Sequence, residues 1–408
     1  MTSPDQFAIT ARNQYETANR DMLHWLLKRK KADSAFVDTK QSSTTLEDFA
    51  DDDGLKGRPF TYGWIQGRGL EALVTHADYF QARDPALAQA LNSWARDLYH
   101  ELDKLWDRYD CAHFCYDAEF APVCTTPEKA GQRQQRDKGY STYADTFVAK
   151  GLIAAAARFF PDDLPRHLAK LSAIIEAIET GRFVMAEGGD IDANLAASQP
   201  DDFGPRMILL TAASMVRQLG LNEHGTFASR FIDHVIEHHY HPDSGLVSMV
   251  PGGSTCNIGH TIEFAGFAYE ALGEALPDAL NEPLQKIITA TFAAGFREPG
   301  LRLTIDMTTG KATSPYCPWW SLPETIRAAS LCYQRTSSPE VLATWRQAHE
   351  AFFTHYWRSQ PPIAYQNMTD DGPVDVILGT PDLDAGYHTG MSFLTAIDAI
   401  DRTTSQSA

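Results

Sequence analysis

The segment from Gly259 to Phe264 places His260 and Glu263 three residues apart at the predicted start of an apolar-periodic helix. Residues at this spacing face the same way on a helix. A histidine beside a carboxylate is suited to proton transfer, because its unperturbed pKa of about 6.5 lies close to neutral pH. A solvated surface pair has the same spacing, so a functional interpretation needs support from other segments.

A second group of chemically capable side chains lies between positions 111 and 124. Its spacing fits no standard zinc motif, so we expect free thiols and no metal there. The group comprises Cys111, His113, Cys115 and Cys124.

Four histidines form a third group where a predicted helix meets the turn from Pro242 to Gly245. A solvated helix end, favoured by the helix dipole, explains such a cluster without a ligand. The sequence therefore predicts neither a metal nor a cofactor. The four are His234, His238, His239 and His241.

Helical periodicity dominates the elements that must position these residues. It predicts about twelve helices, and nothing in the pattern resembles a linker between domains. Short alternating stretches at 245–250 and 301–306 predict small β-hairpins. The helical stretches lie at about 5–30, 65–82, 85–106, 141–159, 163–180, 205–220, 224–240, 260–274, 280–297, 319–335, 338–357 and 385–401.

Six of these helices follow longer loops and give a loose sixfold repeat of helix pairs. Such a repeat closes into an (α/α)6 barrel or stacks into an open superhelix. Closure into a barrel is favoured because tryptophan, arginine, histidine and glutamate residues lie near the starts of these six helices. We therefore expect an all-α, single-domain barrel over 1–408 with a polar tail at about 402–408. The starts lie near Trp64, Ser141, Pro205, His260, Trp319 and His388.

Composition limits the function classes. The formal charge is -18, from 53 acidic and 35 basic residues, which argues against nucleic acid and an anionic membrane as partners. No apolar run approaches the roughly 20 residues that span a bilayer, and the first residues lack signal-peptide features. These features predict a cytoplasmic protein.

Four segments together resemble the N-acylglucosamine 2-epimerase family, which includes sugar 2-epimerases and the mannose and sulfoquinovose isomerases. The family has an (α/α)6 barrel. The resemblance covers about 60–405, with the motifs in the family's order. The segments are Trp64–Arg68, Gly259–Ala265, Trp319–Glu324 and Gly386–His388.

One family motif is altered. Family members commonly carry Met-His-Leu-Leu-Glu at the third inner helix, where the segment from Met207 to Thr211 reads Met-Ile-Leu-Leu-Thr. We expect the place of the absent histidine and glutamate to be taken by Arg206, or else by Asp190, Asp192 and Asn194 upstream. An arginine there leaves an anionic sugar open as the substrate.

The resemblance implies roles for the chemically capable residues. It makes His388 and His260 an acid/base pair, with Glu263 orienting His260. Arg68 stabilises the developing enediolate oxygen. Glu324 holds sugar hydroxyls or orients a histidine.

The resemblance also implies apolar walls against the faces of the sugar ring. Trp64, Trp319 and Trp320 supply them. Arg206 completes the predicted set of substrate-binding residues.

The expected function is a sugar isomerase that interconverts an aldose and its 2-ketose, of the mannose/fructose type, through an enediolate. A sugar 2-epimerase of the N-acylglucosamine or cellobiose type uses the same intermediate. Two other readings stay open: a glycoside hydrolase or lyase on the same barrel, and a member that binds sugar without turnover. The expected partner is a small-molecule sugar, and a homodimer is left open.

Overall fold

The computed structural model describes residues 3–376 and 378–406, and it is predominantly helical. Each of the twelve stretches predicted to be helical coincides with one α-helix. One short helix, α6, was not predicted. The α-helices are α1 Pro4–Arg29, α2 Gly63–Phe80, α3 Pro85–Tyr109, α4 Tyr143–Phe159, α5 Leu164–Glu179, α6 Ala193–Ser198, α7 Gly204–Gln218, α8 Phe227–His238, α9 Ile258–Leu272, α10 Asp278–Gly295, α11 Ser321–Thr336, α12 Pro339–Ala351 and α13 Ser392–Gln406.

Single turns of other helix types extend or join these elements. A π-helical turn, Phe352–Tyr356, follows α12, and another, Tyr387–Met391, leads into α13. The tail expected at 402–408 is helical as far as Gln406, and residues 407 and 408 lie outside the described part. The 3-10 turns are Gly54–Lys56, Pro161–Asp163, Asn222–Gly225 and Gly273–Ala275.

Internal contacts group the described residues into two compact units. The first unit comprises 3–23, 201–376 and 388–406, and the second comprises 24–200 and 378–387. The division falls within α1 and between Tyr387 and His388. The single domain expected over 1–408 stays a prediction.

The second unit is built on two helical hairpins, α2 with α3 and α4 with α5. Helices α2 and α4 approach closely because both carry glycine at the crossing. A Cβ at Gly151 would lie 2.6 Å from the carbonyl oxygen of Gly67. A capping box fixes the start of α4: Thr142 N donates to Asp145 Oδ2 (2.8 Å), and Asp145 N donates to Thr142 Oγ1 (3.5 Å).

The first unit contains three helical hairpins, α7 with α8, α9 with α10 and α11 with α12. Helices α7, α9, α11 and α13 pack side by side in that order. The N-terminal part of α1 covers α12 and α13. There the buried Tyr15 ring stacks on Phe393 at 4.5 Å between centroids, and the Tyr15 hydroxyl oxygen accepts a hydrogen bond from Trp345 Nε1.

Short strands connect the helices. In the first unit β7 runs into α9, and it pairs with β10 in antiparallel register, Asn257 opposite Thr304. The hairpin predicted near 245 is confirmed, with Gly245 at φ +78° in its turn. The strands are β1 Thr61–Tyr62, β2 Cys115–Tyr116, β3 Ser141–Thr142, β4 Phe183–Val184, β5 Tyr240–His241, β6 Leu246–Val247, β7 Thr255–Asn257, β8 Phe296–Arg297, β9 Gly300–Leu301, β10 Thr304–Asp306, β11 Cys317–Pro318, β12 Asn367–Thr369 and β13 Gly372–Pro373.

In the described part of the chain the strands form six small sheets. Five of the sheets are antiparallel, and in the sixth β3 and β4 pair in parallel. The antiparallel sheets are β1–β2, β5–β6, β7–β10, β8–β9 and the three-stranded β11–β12–β13. Within the described residues, no helix has the length and apolar character that crossing a membrane requires.

Candidate active site

His388 lies in the first unit between two buried carboxylates. Its Nδ1 is 3.0 Å from Glu324 Oε1 and 3.6 Å from Glu263 Oε1. The side chains of both glutamates are 1% exposed. A carboxylate only accepts hydrogen bonds, so Nδ1 carries the proton in the bond to Glu324. In the neutral ring, Nε2 then carries no proton and is the basic nitrogen.

Local structure fixes the two helices that carry these glutamates. Asn257, the last residue of β7, caps α9 by accepting a hydrogen bond from His260 N at 3.1 Å. Ser321 starts α11 and donates from its hydroxyl to the carbonyl of Pro318 at 2.6 Å. Each glutamate therefore projects from the first turns of a helix held by a short strand.

Trp320 lies between the two predicted acid/base histidines. Its ring centroid is 5.2 Å from that of His260 and 5.8 Å from that of His388. The indole packs directly on the backbone of Gly259, where any Cβ would overlap its ring. Glycine next to His260 is therefore a steric requirement of this arrangement.

Trp319 forms an edge on His388, with centroids 6.1 Å apart and ring planes at 88°. Its Nε1 donates to Thr389 Oγ1 at 3.3 Å, which fixes the indole orientation. Four sequence-predicted residues, His260, His388, Trp319 and Trp320, thus form one group with the two glutamates.

A buried arginine links this group to a third carboxylate. Arg327 Nη1 is 3.4 Å from Glu324 Oε2 and 3.7 Å from Glu270 Oε2, and Thr395 donates to Glu270 at 2.6 Å. The cation stabilises Glu324 in its ionised form. The ionised glutamate in turn stabilises His388 when it is protonated. Sequence analysis did not identify Arg327, although it lies one turn after Glu324.

Glu263, which was predicted to orient His260, lies beside His388 in the structure. His388 therefore has two anions within 3.6 Å. Glu263, Glu324 and His388 also bring their donor atoms within 4.8 Å of one another. The same three side chains are therefore geometrically able to hold a cation.

Arg68 and Trp64 lie in the second unit within an aromatic group. The guanidinium carbon of Arg68 is 4.0 Å from the ring centroid of Phe147, 5.1 Å from Trp64 and 5.5 Å from Tyr387. Cation–π attraction stabilises a guanidinium in such surroundings. Gly379 also borders Trp64, since a Cβ there would lie 3.5 Å from the indole.

Glu187 is a second-unit residue that sequence analysis missed. It accepts hydrogen bonds from Trp64 Nε1 and from Ala144 N at 3.1 Å. Burial raises the pKa of Glu187 to about 7, against the opposing effect of hydrogen bonds from Thr142, Ala144 and Trp64. A carboxyl group with this pKa exchanges protons near neutral pH. Its position in a polar loop gave no sequence signal.

A fully buried lysine also escaped prediction. Lys150 Nζ on α4 is 3.0 Å from Glu71 Oε2 on α2 and donates to the Tyr387 hydroxyl at 2.6 Å. Burial opposes its charge, but Glu71 and Tyr387 raise the pKa of Lys150 above its usual value. The ion pair thereby anchors the residue that precedes His388 in the chain.

The acidic residues considered as replacements for the altered family motif have structural contacts. Asp190 binds Lys129 and accepts from Gln135 N, while Asp192 caps α6 through Leu195 N. Asn194 lies within α6.

Arg206, on α7 in the first unit, pairs through Nη1 with Asp201 Oδ1 at 2.7 Å. Its side chain is 14% exposed. The guanidinium is therefore engaged by a carboxylate of its own unit.

The cysteine-rich group has ordinary polar contacts. His113 Nδ1 binds Gln134 Oε1 at 2.7 Å, and Cys111 Sγ lies 3.4 Å from His113 Nε2. Burial raises the pKa of the Cys111 and Cys115 thiols to about 12. Thiols with such pKa values are protonated at neutral pH and are weak nucleophiles.

Comparison with known proteins gives structural matches only. No family model and no curated protein sequence matches the chain. A sugar epimerase from a ruminal bacterium is 16% identical, with a TM-score of 0.72 over 95% of this chain and 98% of that one. The cellobiose 2-epimerase from Bacillus thermoamylovorans is also 16% identical, with a TM-score of 0.73 over 96% and 99%.

A D-mannose isomerase is 11% identical, with a TM-score of 0.69 over 95% of this chain and 97% of that one. At these identities the likeness shows the fold. The all-α, (α/α)6 barrel class predicted from the sequence is therefore confirmed.

Proposed function

We propose that this chain is a sugar isomerase of the N-acylglucosamine 2-epimerase family, acting by proton transfer through an enediolate. The observation that carries the proposal is the pair of imidazoles on Trp320, one of them held by two buried carboxylates. The shared fold with sugar epimerases and a mannose isomerase supports it.

His388 is the proposed base at carbon. The hydrogen bond to Glu324 leaves Nε2 as the acceptor, and both neighbouring carboxylates stabilise the imidazolium that forms when a proton arrives. In the open-chain aldose, His388 removes the proton from C2. Because this hydrogen is only weakly acidic, the stabilised imidazolium lowers the barrier to the step.

His260 completes the proton balance in this proposal. Removal of the C2 proton by His388 gives the enediolate, with negative charge on O1, and His260, protonated at the start, then gives a proton to this oxygen to form the enediol. His260 then takes the proton from O2 while His388 returns the carbon proton to C1. The 2-ketose is formed, and both histidines regain their starting protonation states.

Arg68 is proposed to stabilise negative charge on the enediolate oxygen. The aromatic faces around its guanidinium support this role, because cation–π contacts hold the charged group in place. Trp64, Trp319 and Trp320 are proposed to pack against the sugar, and Glu324 to orient His388.

The substrate proposal is a neutral sugar of the mannose/fructose type. The ion pair between Arg206 and Asp201 supports it, because an arginine that is already paired with a carboxylate is less able to select an anionic sugar. Isomerisation is proposed over epimerisation because the altered family motif lacks a histidine, and one base moving a proton between C2 and C1 is the simpler chemistry. A cytoplasmic location stays a proposal.

Proton NMR of the purified protein in D2O tests the function. The sugars are mannose, fructose, glucose, N-acetylmannosamine, cellobiose and sulfoquinovose. Deuterium at C1 or C2 together with conversion of mannose to fructose is the expected result, and a C2 epimer as product would replace isomerase by epimerase. Release of reducing ends from an oligosaccharide, or thermal stabilisation by a sugar that is never converted, would overturn the proposal in favour of a hydrolase or a binding protein.

A further inference from the structure

Two histidines and an aspartate converge in the first unit, near the end of α8. His234 lies on α8, His239 directly follows that helix, and Asp201 precedes α7. His234 Nε2 is 3.1 Å from Asp201 Oδ2. One donor atom from each of the three side chains lies within 4.8 Å of the other two.

His239 supplies the decisive observation. It is fully buried, and its Nδ1 lies 3.0 Å from the carbonyl oxygen of Ser248. Since a carbonyl only accepts, Nδ1 carries the proton and Nε2 has a free lone pair. Nε2 is buried and has no hydrogen-bond partner among residues 3–376 and 378–406.

A buried acceptor without a partner is costly in a folded protein. Metal-binding histidines show this same arrangement: one ring nitrogen donates to a backbone carbonyl, and the other is directed to the metal. His239 therefore combines an unpartnered buried nitrogen with a place beside Asp201 and His234, as a metal ligand requires.

The side-chain types fit metal binding. Histidine and aspartate bind metals through a neutral imidazole nitrogen and an ionised carboxylate. Arg206 pairs with Asp201 and so stabilises the ionised carboxylate.

We propose that Asp201, His234 and His239 bind one divalent transition-metal ion of the zinc class. Two imidazole nitrogens and one carboxylate oxygen suit Zn²⁺ and its neighbours, whereas Ca²⁺ and Mg²⁺ prefer oxygen ligands. Three protein ligands leave a fourth position for water.

The geometry requires only small adjustments. With zinc–ligand distances of about 2.1 Å, tetrahedral ligand atoms lie about 3.4 Å apart. Asp201 and His234 already meet this separation. Their side chains are 45% and 23% exposed, so they are able to turn towards the buried His239.

The two oxygens of the Asp201 carboxylate have different partners. Arg206 Nη1 binds Oδ1 at 2.7 Å, so Oδ2 is directed towards His234. Hydrogen bonds of this kind orient ligating carboxylates. The ion would join the segment before α7 to the end of α8, which assigns it a structural role.

Titration of the chelator-treated full-length protein with Zn²⁺ by calorimetry tests the site, and the visible spectrum with Co²⁺ reports the coordination. We expect one equivalent to bind, with tetrahedral Co²⁺ bands and a rise in Tm. Asp201→Asn and His234→Gln should each weaken binding at least tenfold. Both residues are partly exposed, so these variants should keep the fold.

His238→Gln is the matched control, because His238 is exposed and its ring lies 4.7 Å from that of His234. His388→Gln tests the other group able to hold a cation. Both variants should bind Zn²⁺ as the wild type does, and His239→Asn should not bind it.

Three results would overturn the proposal. The first is that no stoichiometric Zn²⁺ binds to the wild type. The second is unchanged affinity in both Asp201→Asn and His234→Gln. The third is that binding is lost in His238→Gln or His388→Gln, which would move the metal to the surface of α8 or to the carboxylates around His388.

Discussion

The group around His388 and the group around Arg68 differ in the charge that they present. Two carboxylates lie beside His388, whereas the other group contains the cation Arg68 itself. In the first unit, Glu263 and Glu324 surround His388 and favour its imidazolium. In the second unit, the faces of three aromatic rings lie around the Arg68 guanidinium. One group is suited to accepting a proton, and the other to attracting an anion.

The groups also differ in how their buried charges are balanced. Arg327 contacts two carboxylates in the first unit, Glu324 and Glu270. Lys150 contacts one carboxylate in the second unit, Glu71, together with a tyrosine hydroxyl. Activity should therefore depend most on the first group, and the Lys150 ion pair should contribute mainly to stability.

Loss of His388 should have the largest effect. We expect His388→Gln to lower kcat for sugar conversion by about 10³-fold, because it removes the base while keeping a polar side chain of similar size. Circular dichroism should be unchanged. The matched control is His224→Gln, on a surface turn outside this group, which should retain the wild-type rate. A near-normal kcat for His388→Gln would show that His388 is not the base, and the proposed contrast between the two groups would fail.

Breaking the Lys150 ion pair should affect stability instead. Lys150→Met leaves Glu71 buried without its cation, so we expect the free energy of unfolding to fall by about 3–5 kcal/mol. Urea denaturation measures it. The double variant Lys150→Met/Glu71→Leu should recover most of the loss, because an apolar pair replaces the ion pair. Equal instability of the single and double variants would contradict this account.

The raised pKa of Glu187, in the second unit, predicts that the free energy of unfolding depends on pH. Its pKa of about 7 in the folded protein lies above the ordinary value of 4.5 for a glutamate, so the unfolded chain releases this proton first as pH rises. The contribution of Glu187 to stability is therefore full below about pH 4.5 and is lost as pH rises to about 7, by about 3 kcal/mol. Thermodynamic stability measured from pH 4.5 to 8 should fall for the wild type relative to Glu187→Gln. Parallel curves would show that Glu187 does not titrate abnormally.

Most of the helical framework was predictable, because apolar periodicity and capping are local properties. The pattern placed α2 and α9 within two residues of their observed starts. It missed α6, whose six residues are too short to show a period.

The site was only partly predictable, since its partners are distant in sequence. The spacing of three residues predicted that Glu263 orients His260, and the structure brings Glu263 to His388, 125 positions later. Likewise Glu71 and Lys150 lie on two predicted helices, and no spacing rule relates them. Packing of separate helices determines such contacts, and a single sequence contains no direct record of it.

The smallest predicted effect separates the two carboxylates that contact His388. Glu324→Gln removes the anion 3.0 Å from Nδ1, and Glu263→Gln removes the one at 3.6 Å. We expect kcat to fall by about 10²-fold for Glu324→Gln and about tenfold for Glu263→Gln, since the closer, hydrogen-bonded anion stabilises the imidazolium more strongly.

Rates of sugar conversion measured over a range of sugar concentrations distinguish this account from a role of Glu324 in holding sugar hydroxyls. Loss of imidazolium stabilisation should lower kcat with little change in KM. A variant that raises KM at constant kcat has instead lost a contact to the substrate. If Glu263→Gln is the more damaging variant, Glu263 rather than Glu324 is the main partner of His388 during the reaction, and the order of the two carboxylates must be reversed.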